Sequence, residues 1–106
     1  MKQLKFLDDL PQRILNGSKT CTWRIDDDKN ISINDELVLV DINKKPFGKA
    51  KVNSVIIKKF KKLTEEDWRG HEKFNSKEEV YMTYSRYYNF KVNEETEVKI
   101  IKFNLL

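Results

Sequence analysis

The chain has 106 residues, of which 39 % are apolar and 36 % charged, and its formal net charge is +4 at pH 7. This length suits one hydrophobic core, so we expect a single domain over residues 1–106. No run approaches the roughly 20 apolar residues of a membrane span, and the first residues lack the apolar stretch of a secretory signal. We therefore expect a globular, cytoplasmic protein with no membrane contact.

Cysteine and histidine each occur once, as Cys21 and His71. A single cysteine forms no internal disulfide, which agrees with a reducing compartment. One cysteine and one histidine also fall short of the ligand set of an all-protein zinc site. We expect no metal and no other cofactor. His71 follows a glycine at a predicted helix end, so a capping or solvated role is its default interpretation.

The first predicted element is a short helix. Apolar residues recur at helical spacing up to Leu15, Pro11 stands near the first turn, and Asn16-Gly17 supplies a left-handed stop. From Thr20 to Ile25 the apolar pattern alternates, which predicts a strand. One parity of this strand is apolar and expected in the core: Cys21, Trp23 and Ile25.

Thr22 and Arg24 share the polar parity of that strand, whereas Lys19 has the opposite parity. Only the turn after Gly17 can therefore aim the Lys19 ammonium group over Thr22. If it does, the three side chains form a donor-rich pocket for a carbonyl or phosphate oxygen, with a hydroxyl that a base can activate. The alternative is that Lys19 and Arg24 are surface charges that pair with the acids at 26–28.

Further strands are predicted over Glu36–Val40, over Phe47–Phe60 and over Thr96–Leu105. The second of these is one long strand with a bend near Asn53-Ser54, or two shorter strands. Helices are predicted from Glu65 to about Gly70 and from about Lys77 to Tyr88, each after a capping residue. The order α-β-β-β-α-α-β favours an α+β fold, a small β-barrel flanked by short helices.

Eight lysines and no acid lie between Lys44 and Lys62. Such an excess attracts polyanions such as RNA. The candidate phosphate-binding residues are Lys49, Lys51, Lys58 and Lys59. The alternative is a strand whose outward lysines are solvated and discourage edge pairing. Because no regular alternation of aromatic residues with the lysines occurs, the sequence favours this alternative over a dedicated RNA groove.

Several short motifs occur together along the chain. They are Ile14-x-x-Gly17-x-Lys19-Thr20-x-Thr22-x-Arg24, Asn34-Asp35-Glu36-Leu37, Phe47-Gly48-x-Ala50-x-Val52, Leu63-Thr64-x-Glu66, His71-Glu72-x-Phe74-x-Ser76-x-Glu78-Glu79 and Thr96-x-Val98-x-Ile100-Ile101-x-Phe103. With these motifs the chain resembles the ASCH domain family, within the PUA-like folds, over nearly its whole length. The resemblance implies a small β-barrel with a cleft that accepts a nucleobase or nucleotide.

The chain is also similar, in length and in its Lys-Thr-x-Thr-x-Arg core, to a subset of that family. These are small bacterial amidohydrolases that remove the acetyl group from N(4)-acetylcytidine. The resemblance implies Lys19 as proton acceptor, Thr22 as nucleophile and Glu72 as proton donor. Glu66 and Glu78 compete with Glu72 for the donor role, because the segment that carries it is about one residue longer here.

A threonine hydroxyl is a poor nucleophile unless a base takes its proton, and a free lysine has a pKa of about 10.4. The Lys19 pKa must therefore be lowered, and both burial and the charge of Arg24 act in that direction. Arg24 and Thr20 are the candidate substrate-binding residues, with Arg24 orienting the base or stabilising negative charge.

Three functions follow as hypotheses. The preferred one is an amidohydrolase-like enzyme acting on a modified nucleoside. The second is a non-catalytic RNA-binding module that uses the cleft for a nucleotide and the lysine-rich strand for phosphates. The third is a ribonuclease with Lys19 as the activating base. The expected partner is thus a modified nucleoside or RNA, and the sequence leaves the oligomeric state open.

Overall fold

A computed structural model describes all residues, Met1–Leu106, as five strands and three α-helices. In chain order these are β1 (Lys2–Lys5), α1 (Leu10–Leu15), β2 (Cys21–Arg24), β3 (Glu36–Val40), β4 (Pro46–Lys59), α2 (Glu65–Trp68), α3 (Lys77–Tyr88) and β5 (Glu97–Leu105). A turn of 3-10 helix, Phe60–Lys62, follows β4.

The strands form one curled sheet in the order β1-β3-β4-β5-β2. β1 runs parallel to β3, and the other neighbouring pairs are antiparallel. The two edge strands, β1 and β2, approach each other without pairing, and the Arg24 side chain joins them by donating from Nη2 to the Lys5 carbonyl oxygen at 2.9 Å. We call this junction the seam. The sheet is therefore a half-barrel closed at the seam by a side chain.

The inside of the half-barrel holds an aliphatic and phenyl core, which we call the barrel cluster. Its members are Leu4, Phe6, Ile14, Ile31, Leu37, Leu39, Ala50, Val52, Ile101 and Phe103. Four strands contribute to it, and α1 closes one end through Ile14. The alternating apolar residues of β3 and β4 thus face inward, as the period of a strand requires.

A second core, which we call the outer cluster, lies where α3 packs on the opposite face of β2 and β5. Its members are Cys21, Trp23, Ile25, Phe60, Val80, Tyr84, Val92, Val98 and Ile100. β5 contributes to both clusters and is therefore buried on both faces, as the sequence predicts. The apolar parity of β2 belongs to the outer cluster, so its polar parity points toward the barrel side at the seam.

The helix α3 begins where its capping signal predicts. Ser76 accepts a hydrogen bond from the backbone N–H of Glu79 at 3.1 Å, and the helix ends at Asn89 in the left-handed region, with φ 57°. Its 12 residues make it the longest helix. None of the helices combines the length and the apolar character that a bilayer crossing requires.

The predicted strands and helices are present, and β4 is one continuous strand whose register shifts between Val52 and Ser54, where the bend was predicted. One element was missed. The chain begins with the strand β1, so the order is β-α-β-β-β-α-α-β. β1 has only four residues and pairs in parallel with β3, where Lys2 lies opposite Leu37. A strand that depends on so distant a partner carries little local signal.

Candidate functional site

Lys19 is placed by the turn that follows α1. Gly17 adopts φ +86°, and the Lys19 backbone N–H donates to the Arg13 carbonyl at 3.0 Å. This turn directs the side chain inward, so that Lys19 is only 2 % exposed. Its Nζ donates to the Cys21 carbonyl at 2.7 Å and to Glu72 Oε1 at 2.5 Å. A buried ammonium group of this kind requires such partners.

Glu72 is positioned by a glycine that fits tightly against the start of β2. Gly70 has φ +82°, and its carbonyl oxygen accepts from the backbone N–H groups of Thr20 and Cys21 at 2.9 and 3.1 Å. A Cβ at residue 70 would lie 2.1 Å from Thr20 Oγ1. The loop between α2 and α3 is thereby fixed to β2, and the carboxylate two residues later reaches Lys19.

Thr22 and Arg24 extend from the polar face of β2 toward the seam. Thr22 is 4 % exposed, and its Oγ1 accepts a hydrogen bond from Arg24 Nε at 3.2 Å. The guanidinium group lies over the Phe6 ring, 4.8 Å from its centroid. The polar parity of β2 therefore faces a cavity, and the arginine is held between the two edge strands.

The side chains of Lys19, Thr22, Arg24 and Glu72 line one cavity of about 480 Å³ at the seam. Its other lining residues are Lys5, Phe6, Leu7, Leu10, Trp23, Tyr84, Arg86, Tyr87 and Tyr88. The volume is within the range of small-molecule sites, about 300–1,000 Å³. The structure thus brings together the three residues for which the resemblance implies catalytic roles, with aromatic walls around them.

Thr20, the other candidate substrate-binding residue, is exposed and does not line this cavity. The two acids that competed with Glu72 also lie elsewhere. Glu66 pairs with Lys102 and Arg69 at the surface, and Glu78 is exposed on α3. Among the three acids, only Glu72 contacts Lys19.

The interpretation of Lys19 and Arg24 as surface charges that pair with the acids at 26–28 is wrong. Lys19 pairs with Glu72, and Arg24 makes no ion pair. The half-buried Asp27 instead accepts from Lys99 Nζ at 2.7 Å. The burial of Lys19 removes it from the surface on which such pairs form.

His71 is buried, 4 % exposed, which corrects its default interpretation as a capping or solvated residue. Its ring stacks on Trp23, with 3.8 Å between centroids and 18° between planes. Nδ1 lies 2.8 Å from the Glu72 carbonyl oxygen, and Nε2 lies 3.1 Å from the Tyr84 hydroxyl. A carbonyl oxygen only accepts, so Nδ1 carries the proton and the Tyr84 hydroxyl donates to Nε2.

The electrostatics of the site follow from this burial. Burial lowers the pKa of His71 to about 3, and the Lys19 charge adds to the effect, so the ring is neutral at pH 7. Burial also lowers the pKa of Lys19, and the attraction of Glu72 offsets only part of that change. Burial alone would raise the pKa of Glu72, but the carboxylate is charged beside Lys19 and accepts its hydrogen bond, and that pKa is lowered.

The lysine-rich strand β4 lies away from the cavity. β4 is the middle strand of the curled sheet, and the seam joins the two edges, so β4 is across the half-barrel from the seam. Lys58 pairs with buried Asp67 at 2.7 Å, and Lys59 pairs with Glu95 at 3.1 Å. Lys49 and Lys51 are exposed and make no ion pair.

No group of three or more His, Cys, Asp or Glu side chains is arranged so that it could hold a metal ion. The chemistry available to the cavity from the chain itself is therefore that of an amine, a carboxyl, a hydroxyl and a guanidinium group.

The family model for the ASCH domain matches residues 2–106. The chain belongs to the ASCH domain family. No curated protein sequence is similar enough to this ASCH domain to count as a match.

Solved structures show the same fold. The protein EF3133 from Enterococcus faecalis is 15 % identical with a TM-score of 0.80, and the match covers 100 % of this chain and 80 % of that one. An ASCH domain from Lactobacillus crispatus is 12 % identical with a TM-score of 0.71, covering 98 % and 79 %. The S128A mutant of ZmASCH from Zymomonas mobilis is 14 % identical with a TM-score of 0.65, covering 96 % and 66 %. The expected PUA-like α+β fold is confirmed.

Several cavity residues were not identified from the sequence. Three tyrosines of α3, Tyr84, Tyr87 and Tyr88, all line the cavity. Lys5 and Arg86 were missed entirely. The alternation of Leu4 and Phe6 with lysines was the available signal for β1, and a correctly assigned β1 would have put Lys5 near the seam.

Proposed function

We propose that this ASCH domain is an amidohydrolase that removes an acyl group from the exocyclic nitrogen of a modified nucleoside such as N(4)-acetylcytidine. One observation carries the proposal. The buried Lys19–Glu72 pair, with 2.5 Å between Nζ and Oε1, lines the same cavity as the Thr22 hydroxyl. A base, an acid and a nucleophile are the groups that an amide hydrolysis by way of an acyl-enzyme uses.

The direct hydrogen bond within the pair gives a route to the reactive protonation state. The ordinary pKa values of lysine and glutamate differ by about 6 units, so transfer of the proton from Lys19 to Glu72 would cost about 8 kcal/mol. Burial of Lys19 lowers its pKa and narrows this difference, whereas the lowered pKa of Glu72 in the resting pair widens it. A nucleobase that displaces water from the cavity narrows this pKa difference, because a low dielectric disfavours both the ammonium and the carboxylate charge. The product is a neutral amine beside a carboxylic acid.

In the acylation step, the Lys19 amine takes the proton of Thr22 Oγ1 while that oxygen forms a bond to the acyl carbon. The Glu72 acid then gives its proton to the exocyclic nitrogen as the carbon–nitrogen bond breaks. Cytidine leaves and the acyl group remains on Thr22 as an ester. Water hydrolyses this ester, which releases the carboxylic acid and restores the hydroxyl.

Arg24 contributes in two ways. Its Nε already donates to Thr22 Oγ1 at 3.2 Å, a contact that favours negative charge developing on that oxygen. Its side chain also joins β1 to β2 beside the cavity by donating to the Lys5 carbonyl oxygen. The aromatic walls supplied by Tyr84, Tyr87 and Tyr88 suit the flat faces of a base.

The test is hydrolysis of N(4)-acetylcytidine by the purified protein, followed by chromatographic detection of cytidine. We expect Lys19→Met, which keeps the length of the buried side chain, to lower kcat/KM by about 10²- to 10⁴-fold. Thr22→Ala removes the nucleophile and is expected to cost at least as much. Lys77→Met and Thr83→Ala, changes outside the cavity, serve as matched controls. Absence of turnover in the wild type, or turnover in Lys19→Met and Thr22→Ala equal to that of the wild type, contradicts the proposal.

RNA binding without catalysis is the second candidate, and the structure gives it less support. Two of its four lysines, Lys58 and Lys59, are already paired with acids. The remaining pair, Lys49 and Lys51, faces away from the cavity. Salt-dependent binding of single-stranded RNA that weakens in the Lys49→Gln/Lys51→Gln variant, in a protein without turnover, is the result that would favour it.

A further inference from the structure

The cavity at the seam carries more positive charge than a neutral nucleoside needs. Its lining contains four cationic side chains and one acid, a formal balance of +3. Glu72 neutralises Lys19. Arg24 is held by neutral oxygens, those of Thr22 and Lys5, so its charge has no acid partner. A cleft lined by one sign of charge concentrates ligands of the opposite sign.

The other two cations, Lys5 and Arg86, lie at the rim. Lys5 is on β1 and Arg86 is in the last turn of α3, so the two reach the cavity from different elements. Both are exposed, and neither side chain takes part in an ion pair or a hydrogen bond. Asp8 is close enough to raise the pKa of Tyr87, but it does not line the cavity.

This pattern differs from that of the lysines elsewhere on the sheet. Lys58 and Lys99 pair with half-buried or buried acids, and Lys2 pairs with Asp35 at 2.8 Å. The two rim cations stand out because they border a cavity and have no acid within reach. Exposed cations with nothing to neutralise them are the groups that bind the phosphate of a small ligand.

We propose that the cavity binds a nucleoside 5′-phosphate, with the phosphate at the rim between Lys5 and Arg86. The inference rests on the proposed function, because it places the exocyclic nitrogen of the base at Lys19, Thr22 and Glu72. The base then lies against the tyrosines and the sugar extends toward the mouth. A doubly charged phosphate compensates the two rim cations, which a neutral nucleoside does not.

The structure favours a free nucleotide over an RNA chain. The volume of about 480 Å³ suits one small molecule. The exposed lysines of β4 that make no ion pair, Lys49 and Lys51, lie across the half-barrel from the rim. Those two lysines are therefore out of reach of a second phosphate beside the cavity, whereas one terminal phosphomonoester needs only the two rim cations.

The test compares the binding of cytidine and of cytidine 5′-monophosphate by calorimetry at low ionic strength. We expect the wild type to bind the nucleotide about tenfold more tightly. Lys5→Gln and Arg86→Gln are each expected to reduce this preference about threefold, and the double variant to remove most of it. Lys91→Gln and Lys77→Gln remove an exposed charge away from the cavity and are expected to leave the preference unchanged.

Three results would overturn the inference: equal affinity of the wild type for cytidine and its 5′-monophosphate, equal losses in the rim and control variants, or tighter binding of a cytidine-containing oligonucleotide than of the mononucleotide. Because these ligands do not react, the outcome is independent of turnover. A preference for the nucleotide without hydrolysis of N(4)-acetylcytidine contradicts the proposed function alone. Hydrolysis without that preference contradicts this inference alone.

Discussion

The barrel cluster and the outer cluster are both buried, yet they are built from different chemistry. All ten buried residues of the barrel cluster are apolar and its aromatic members are phenylalanines. The outer cluster centres on Trp23 and Tyr84, and the neutral His71 stacks on Trp23 and makes two ring hydrogen bonds, to the Glu72 carbonyl and to the Tyr84 hydroxyl. The barrel cluster therefore stabilises the fold, whereas the outer cluster carries the polar network that positions Glu72.

The largest expected effect is on the barrel cluster. Phe103 is 2 % exposed, packs 6.4 Å from Phe6 and lies on β5, the strand shared by both clusters. We expect Phe103→Ala to lower the free energy of unfolding by about 4 kcal/mol, because it removes a buried ring and leaves a cavity. Urea denaturation measures the change. Phe47→Ala, at a half-buried ring of the same cluster, is the control and should cost clearly less. Equal losses of unfolding free energy in Phe103→Ala and Phe47→Ala would contradict the prediction that the buried barrel cluster dominates the stability of the fold.

An intermediate effect is expected at Gly70, which joins the site loop to β2. Gly70→Ala places a Cβ 2.1 Å from Thr20 Oγ1 and also strains a residue with φ +82°. We expect a loss of about 2 kcal/mol in the free energy of unfolding, of which about 1 kcal/mol is backbone strain. Adding Thr20→Ala removes the contact with Oγ1, so the double variant should recover the steric part. If the double variant recovers no stability, the close packing of the loop against β2 is not the cause of the loss in Gly70→Ala.

A third effect is a pH dependence confined to the outer cluster. The pKa of His71 is about 3 in the folded protein and 6.5 in a free chain. Between those values the unfolded chain binds a proton that the folded protein does not. The contribution of His71 to stability is therefore complete above pH 6.5 and falls by roughly 1 kcal/mol per pH unit as the pH drops toward 3.

Chemical denaturation of the wild type and of His71→Gln between pH 7.5 and pH 4 measures this dependence. Glutamine does not titrate, so the stability difference between the two proteins should shrink as the pH falls. Phe103→Ala, in the barrel cluster, should instead lose the same free energy at every pH. Parallel profiles for wild type and His71→Gln would show that His71 is not held neutral by its surroundings.

Most of the fold is predictable because its elements have clear local signals. The apolar alternation of β2 and β3 and the capping sequence of α3 are each contained in a few consecutive residues. The bulge in β4 is signalled by the polar pair Asn53-Ser54. The signal of β1 is weaker, because the alternation is short and its four residues gain strand structure only through pairing with β3.

The candidate site is predictable only in part. The opposite parity of Lys19 and Thr22 indicates that a turn must bring them together, and the structure places both in one cavity. The choice of Glu72 over Glu66 depends on the positive φ of Gly70, which the sequence does not reveal. The burial of His71 escapes detection for a related reason: Trp23 and Tyr84, which enclose it, are distant in the chain.

The seam has a consequence for how this domain behaves at high concentration. β1 and β2 each end the sheet with an unpaired edge, the kind of surface on which another chain can add a strand. Both edges are only four residues long, and the Lys5 carbonyl is already occupied by the Arg24 guanidinium group. A second molecule would have to displace that half-buried cation to pair with β1 at Lys5. The residue that lines the ligand cavity therefore also protects the domain from edge-to-edge aggregation.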